Sequence, residues 1–168
     1  MSLQIILLTH EREVDRPTNT GRLALEMYPD TCRRIVWSRV APDPLLMGIT
    51  KQPDTWLLFP ADDTVMVEVN NSTSDFYSNN QSIQVIILDA TWQEARKMYR
   101  QSPYLNQIKR LNFTSVANSQ YALRRNQVAG GLCTVECVAQ LMSDAGRTAD
   151  SEQLTQALAM MPTQRAKA

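Results

Sequence analysis

The chain has 168 residues, of which 43% are apolar and 20% charged, and its 17 basic and 17 acidic side chains cancel near neutral pH. This length predicts one domain with a sizeable core. The sequence contains neither a run of about 20 apolar residues nor a basic signal segment, so we expect a cytoplasmic protein without membrane partners. The three cysteines are not clustered and cannot supply two C-x-x-C pairs, and there is only one histidine, so no metal is expected.

Apolar and polar segments alternate along the chain and predict a single α/β domain over residues 1–168, mainly a parallel sheet flanked by helices. The predicted strands are residues 3–8, 34–40, 55–59, 83–88 and 110–113. The predicted helices begin at Asn19 or Thr20, at Leu45, at Thr91, at Thr134 as a cap and at Ser151, and Gly146 is expected to end the fourth. We expect residues 70–82 to form a surface loop and residues 163–168 to fray.

The junction after the fourth predicted strand has the features of a functional site. Asp89 follows the apolar run of residues 83–88 and is expected at the carboxyl end of a buried strand, where open α/β sheets bind ligands. Thr91 and Glu94 have the spacing of a capping box, so a helix should begin there with its free N–H groups near Asp89. The alternative is that Asp89 only hydrogen-bonds the start of this helix.

Positive charge is concentrated beside this junction. Residues 84–125 hold seven basic and two acidic side chains, a net charge of +5, which leaves −5 for the remainder. Such a concentration suits the phosphates of a nucleic acid. An ordinary solvated helix face explains the same pattern, and both interpretations stay open here.

Four segments resemble motifs of the DTW-domain family, known as tRNA-uridine aminocarboxypropyltransferases. Asp89, Thr91 and Trp92 match the Asp-x-Thr-Trp signature. Residues 10–23 resemble the first motif, 57–60 the second, and 121–125 with 132–136 the last. Many members carry a cysteine-rich segment before the first strand, which is not found in this sequence and puts the mode of RNA docking in doubt. The resemblance implies a SPOUT-like fold with a C-terminal trefoil knot.

The resemblance also implies an activity, the transfer of the 3-amino-3-carboxypropyl (acp) group from S-adenosylmethionine to N3 of a uridine in tRNA. The products are acp3U and methylthioadenosine. S-adenosylmethionine is the expected co-substrate and tRNA the expected partner, while a monomer and a homodimer both remain open. Two alternatives are an RNA methyltransferase that uses the same co-substrate and a non-catalytic RNA-binding module.

Site residues are carried over from the matching motifs. Asp89 is a candidate base for the uridine N3 proton, and Thr91 and Trp92 complete the predicted catalytic group, although Trp92 also suits an adenine stack or a core position. His10 has either a site role or a structural hydrogen bond. The predicted co-substrate contacts are Leu58, Phe59, Pro60, Leu88, Trp92, Leu132, Cys133 and Thr134. The predicted RNA contacts are Arg16, Thr18, Asn19, Thr20, Arg96, Lys97, Arg124 and Arg125, with a capped helix start as the alternative for the first four.

Overall fold

A computed structural model describes residues 2–17, 19–58, 82–111 and 134–161 of the chain. The strands in these ranges are β1 (Ser2–Thr9), β2 (Cys32–Val36), β3 (Thr55–Leu58), β4 (Ser82–Asp89) and β5 (Lys109–Leu111). The α-helices are α1 (Gly21–Met27), α2 (Pro44–Ile49), α3 (Trp92–Arg100), α4 (Thr134–Asp144) and α5 (Thr148–Ala159). Short 3-10 helices span Glu11–Glu13 and Pro103–Gln107. Each of these helices is too short or too polar to cross a bilayer.

The five strands form one parallel sheet in the order β2-β1-β4-β3-β5. The central strands β1 and β4 pair along their whole length, from Ser2 beside Ser82 to Thr9 beside Asp89. The last residues of these two strands therefore lie side by side at the carboxyl edge of the sheet. This is the edge at which parallel sheets bind ligands.

Helices cover both faces of the sheet, which explains why its central strands are apolar runs rather than alternating patterns. On one face Ile5 and Leu7 of β1 pack in a core with α1, α4 and α5. On the other face Ile6 and Leu8 pack with α2 and α3. Because side chains alternate along a strand, Asp89 points to the same face as Val85 and Ile87, towards α1 and α4.

The predicted α/β fold with a parallel sheet is confirmed. The start of α3 after Thr91 and the end of α4 before Gly146, which has φ +89°, also match the prediction. Leu154, Leu158 and Met161, near the end of the chain, are buried in the core.

Two predicted elements begin at least two residues away from their observed starts. The second strand covers Cys32–Val36 instead of residues 34–40, because β1 ends at Thr9 and offers no pairing partner beyond the bond from Trp37 N–H to the Thr9 carbonyl (2.8 Å). The last helix begins at Thr148, three residues early, with Arg147 as its N-terminal neighbour. The predicted knot, loop and frayed tail depend on residues outside the described ranges and stay predictions.

Candidate active site

Asp89 lies at the centre of a buried polar cluster at the carboxyl end of β4. Its side chain is 0% exposed. The carboxylate accepts hydrogen bonds from Thr9 Oγ1 (3.0 Å), Asn19 Nδ2 (2.9 and 3.1 Å to the two oxygens) and Thr134 Oγ1 (2.7 Å). Arg34 Nη2 is 3.7 Å from Asp89 Oδ2. Four separate chain segments thus converge on one carboxylate.

Asn19 connects Asp89 to the rest of the first motif. Its amide N–H groups donate to Asp89 and to Glu13 Oε1 (3.0 Å). Its carbonyl oxygen accepts from the Arg22 backbone N–H (3.2 Å) and from Arg34 Nη2 (2.9 Å). The hydrogen-bonding capacity of this amide is therefore used within the protein.

Gly21 allows helix α1 to approach the cluster closely. A Cβ atom at this position would lie 3.0 Å from Asp89 Oδ2 and 3.1 Å from Leu7 Cδ1. Both neighbours are buried, and neither has room to withdraw. The absence of a side chain at Gly21 is therefore a condition for the contact between α1 and Asp89.

Arg16 links the first motif to the helix that follows Asp89. Its guanidinium pairs with Glu13, which is fully buried, and its Nη2 lies 3.6 Å from Glu94 Oε2. Glu94 also completes the predicted capping box, because its Oε1 accepts from Thr91 N–H (3.0 Å) while Thr91 Oγ1 accepts from Glu94 N–H (3.2 Å). One cation thus joins the start of α3 to the segment after β1.

The pKa of Glu94 is lowered by these neighbours. Burial on its own raises the pKa of this carboxyl group. The hydrogen bond from the Thr91 backbone N–H and the electrostatic interactions with His10 and Arg16 act against burial and outweigh it. Glu94 therefore holds Arg16 as an ionised carboxylate.

The predicted catalytic residues meet at this site as far as they are described. Asp89 forms the cluster, and Thr91 caps α3 two residues later. Trp92 is the first residue of α3, and its side chain is outside the described part of the chain.

The predicted co-substrate contacts lie at the same edge of the sheet. Leu58 and Leu88 are buried near the ends of β3 and β4 but on opposite faces. Thr134, predicted as a helix cap, is instead the first residue of α4, and its hydroxyl donates to Asp89. Phe59, Pro60, Leu132 and Cys133 are outside the described ranges.

The predicted RNA contacts divide into buried and accessible groups. Asn19 and Thr20 are buried, and Thr20 Oγ1 accepts from Val135 N–H (3.2 Å) rather than capping α1 through its side chain. Arg96 is half-buried and Lys97 exposed on α3. Thr18, Arg124 and Arg125 are outside the described ranges, and contact with RNA stays a prediction for every member of this set.

Three cluster members were not identified from the sequence: Thr9, Glu13 and Arg34. Thr9 is the first polar residue after the apolar part of β1. Asp89 has the corresponding position on β4, and the two residues are paired in the sheet. Arg34 is a charged residue on a strand, and its Nε donates to Thr9 Oγ1 (3.1 Å). A polar side chain at the end of each of two neighbouring strands is a signal that sequence reasoning can use in such folds.

Comparison with known proteins gives one family and several relatives. The sequence profile of the DTW domain matches residues 1–166. The Drosophila melanogaster protein named tRNA-uridine aminocarboxypropyltransferase 2 is 30% identical over 149 residues, which cover 85% of this chain and 56% of that protein. The Macaca fascicularis protein of the same name is 24% identical over 146 residues, covering 85% and 48%. The chain thus spans about half the length of these relatives.

A solved structure shares the fold. It is that of the SAM-dependent rRNA:acp-transferase Tsr3 from Vulcanisaeta distributa, and it superposes with a TM-score of 0.59 at 14% identity. The match covers 96% of this chain and 76% of that one. The arrangement of helices and strands described above is therefore one that a known protein also adopts.

Proposed function

Because this chain belongs to the DTW-domain family, we propose that it transfers the acp group of S-adenosylmethionine to N3 of a uridine in tRNA. The names of its relatives and of the solved protein that shares its fold support this reaction. One observation carries the proposal: Asp89 of the signature accepts hydrogen bonds from Asn19 in the first motif and from Thr134 in the last. The segments that resemble the family thus meet at one edge of the sheet.

The reaction exchanges one bond for another at the methionyl γ-carbon. The sulfonium of S-adenosylmethionine makes this carbon electrophilic. Uridine N3 loses its proton and forms the N3–Cγ bond, while the Cγ–S bond breaks and its electron pair stays on sulfur in methylthioadenosine. The protein must therefore hold the γ-carbon, rather than the methyl group, in line with N3, and such positioning supplies much of the rate in group transfers.

The described residues suit the co-substrate in their chemistry. Leu58 and Leu88 place apolar side chains near the ends of β3 and β4, and the half-buried Ala90 adds a small one at the same edge. Apolar surface with a few hydrogen-bonding groups is the usual lining of a nucleoside site. Leu58 and Leu88 lie on opposite faces of the sheet, so a contact of S-adenosylmethionine with both stays a prediction.

We assign Asp89 to positioning within this reaction. A general base must come within about 2.6–3.2 Å of the proton that it accepts. The Asp89 carboxylate is fully buried, and both of its oxygens accept hydrogen bonds from protein groups. Proton transfer from uridine to Asp89 requires this cluster to open, whereas a positioning role uses it as it stands.

Mass spectrometry of nucleosides tests the proposal directly. Purified protein is incubated with bulk tRNA and S-adenosylmethionine labelled with ¹³C either at the carboxyl carbon or at the methyl carbon. We expect a heavier uridine that carries the carboxyl label and lacks the methyl label. The opposite labelling would show a methyltransferase, and co-substrate binding without any product would point to a different RNA or a missing partner.

Asp89→Asn and Asp150→Asn form a matched pair for this assay. Each replaces one carboxylate by an amide, but Asp150 lies at the start of α5, on a partly exposed surface. We expect Asp89→Asn to lose turnover while Asp150→Asn keeps it. Equal turnover in the two variants would remove Asp89 from the site.

A further inference from the structure

Two stacked aromatic rings lie at the same edge of the sheet as Asp89, on the side of β2, and Trp37 packs on the face that α2 and α3 cover. His10 directly follows β1 and Trp37 directly follows β2, and their ring centroids are 5.7 Å apart with an angle of 26° between the planes. We propose that Trp37, supported by His10, is a stacking platform for a nucleobase of the RNA substrate. This inference rests on the proposed function and adds a substrate-binding residue to it.

Backbone hydrogen bonds tie the two aromatic residues to the ends of the strands that carry Thr9 and Asp89. The backbone N–H of His10 donates to the Asp89 carbonyl (3.2 Å), and the backbone N–H of Trp37 donates to the Thr9 carbonyl (2.8 Å). The indole Nε1–H donates to Ser102 Oγ (2.7 Å). The orientation of the indole is therefore set before any ligand arrives.

His10 is fixed as well. Its Nδ1 accepts from the Arg12 backbone N–H (3.1 Å), so the neutral imidazole carries its proton on Nε2. His10 is 8% exposed, whereas Trp37 is only half-buried. The histidine is thus buried against the indole, while the tryptophan packs partly against the core of the α2 and α3 face and keeps part of its surface accessible, as a stacking platform requires.

The strand order favours an RNA base over the adenine of S-adenosylmethionine as the occupant. Most predicted co-substrate contacts lie at the end of β3 or the start of α4, with Leu88 and Trp92 at the end of β4, while Trp37 follows β2. In the order β2-β1-β4-β3, β2 and β3 are three strand spacings apart, roughly 14 Å. The uridine must reach the site from a side that the co-substrate leaves open, and the β2 side meets this condition.

Exposed arginines flank the platform. Arg12 lies two residues after His10, and Arg39 two residues after Trp37; both are exposed, with Glu11 as an exposed acid between His10 and Arg12. Unpaired RNA bases are commonly bound by stacking on aromatic side chains with arginine near the phosphates. The composition of this rim therefore fits single-stranded RNA.

Binding measurements with matched variants test the platform without requiring turnover. Trp37→Phe keeps an aromatic face, Trp37→Met removes it, and Tyr28→Met removes a half-buried aromatic ring that packs with the core on the other face of the sheet. The affinity for dye-labelled tRNA is measured by fluorescence anisotropy, the affinity for S-adenosylmethionine by calorimetry, and Tm alongside. We expect Trp37→Met to weaken tRNA binding about 5- to 150-fold, Trp37→Phe far less, and Tyr28→Met not at all.

Several outcomes would overturn the inference. Equal tRNA affinity for wild type and Trp37→Met, or equal losses for the Phe and Met variants, would exclude stacking. A loss confined to S-adenosylmethionine affinity would give the indole to adenine instead. If Trp37→Met fails to fold, quenching of tryptophan fluorescence by a short uridine oligonucleotide is compared in wild type and Trp37→Phe, and equal quenching counts against the platform.

The same measurements separate this inference from the proposed reaction. Trp37-dependent tRNA binding without acp transfer would retain the platform and reject the transferase. Acp transfer with a tRNA affinity that is independent of Trp37 would retain the transferase and reject the platform.

Discussion

Two arginine–aspartate pairs in this structure have opposite surroundings. Arg34 lies 3.7 Å from Asp89, whose side chain is 0% exposed and accepts hydrogen bonds from three further chain segments. Arg147 lies 2.8 Å from Asp150, with side chains 32% and 33% exposed. The same chemistry therefore serves a buried cluster in one place and a surface clip in the other.

The surface clip joins neighbouring elements. Arg147 also donates to Thr31 Oγ1 (3.0 Å), and its guanidinium lies over the Tyr28 ring at 5.7 Å. Exposed pairs of this kind contribute little, because water screens the charges and long side chains lose entropy. The clip connects α1, β2 and α5, but each of these elements is also held by the apolar core.

The buried cluster needs a different explanation. Taking a carboxylate and a guanidinium out of water costs several kcal/mol each, and apolar groups of similar volume are often as stable or more stable. Asp89 is nevertheless surrounded by donors, and Gly21 leaves room for it. The comparison indicates that the buried cluster is kept for the geometry that it imposes on the site, and the clip for local docking of elements.

The largest expected effect comes from breaking the buried cluster. Asp89→Asn keeps the shape of the side chain but turns one acceptor into a donor, which then faces donors from Asn19, Thr9 or Thr134. We expect a loss of about 3 kcal/mol in the free energy of unfolding, because buried polar groups lose their partners. Urea denaturation measures this loss.

Thr134→Val tests the contribution of the hydrogen bond between Thr134 and Asp89 from the donor side. It removes the hydroxyl that donates to Asp89 at nearly constant volume, and we expect a loss of about 1–2 kcal/mol. The loss of stability in the double variant should be smaller than the sum of the two single losses, because both substitutions disrupt this bond. Unchanged stability in Asp89→Asn would contradict the view that the cluster is a built network.

Local pattern predicted much of this site. The β-branched run before Asp89 indicated a strand buried on both faces, and the Thr91–Glu94 spacing indicated the capping box that the structure contains. Both features depend on residues that are close in sequence. The position of Asp89 at the carboxyl edge followed from them.

The partners of Asp89 were beyond such reasoning. Thr9 is 80 residues from Asp89 and Thr134 is 45, so their meeting depends on which strands pair and in which register. Glu13 and Arg34 looked like ordinary polar residues, because their bonds to Asn19 and Thr9 form only in the folded chain. Strand order is set by the total packing of the domain, which no local window contains.

A smaller effect is expected at the border of the cluster, where Glu94 joins Arg16 and the capping box. The folded pKa of Glu94 is lowered from its ordinary value of 4.5, so the ionised form stabilises the fold. This contribution is fully present above pH 4.5 and is lost as the pH falls through the lower, folded pKa. Glu94→Gln should therefore destabilise the protein at pH 7 by about 1 kcal/mol, because glutamine can keep the capping hydrogen bond but lacks the charge that faces Arg16 and the start of α3.

Urea denaturation at pH 7 and below pH 4 checks this sign. The stability difference between wild type and Glu94→Gln should shrink in acid, because protonation makes the wild-type carboxyl group uncharged, as the glutamine amide is at every pH. Glu11→Gln, which changes an exposed carboxylate before Arg16, is the matched control. A difference that grows in acid would mean that the folded pKa of Glu94 is raised rather than lowered.

The smallest effect is expected from the surface clip. Asp150→Asn removes a charge that is one third exposed, and we expect the free energy of unfolding to change by less than about 1 kcal/mol. Tyr28 provides a second readout, because its pKa is raised by burial first and then by the charge and hydrogen bonding of Asp150, while Arg147 lowers it. Spectrophotometric titration of tyrosine should show the pKa of Tyr28 moving down in Asp150→Asn. A stability loss as large as that of Asp89→Asn would erase the contrast between the two pairs, since a carboxylate accessible to water would then matter as much as one enclosed by four chain segments.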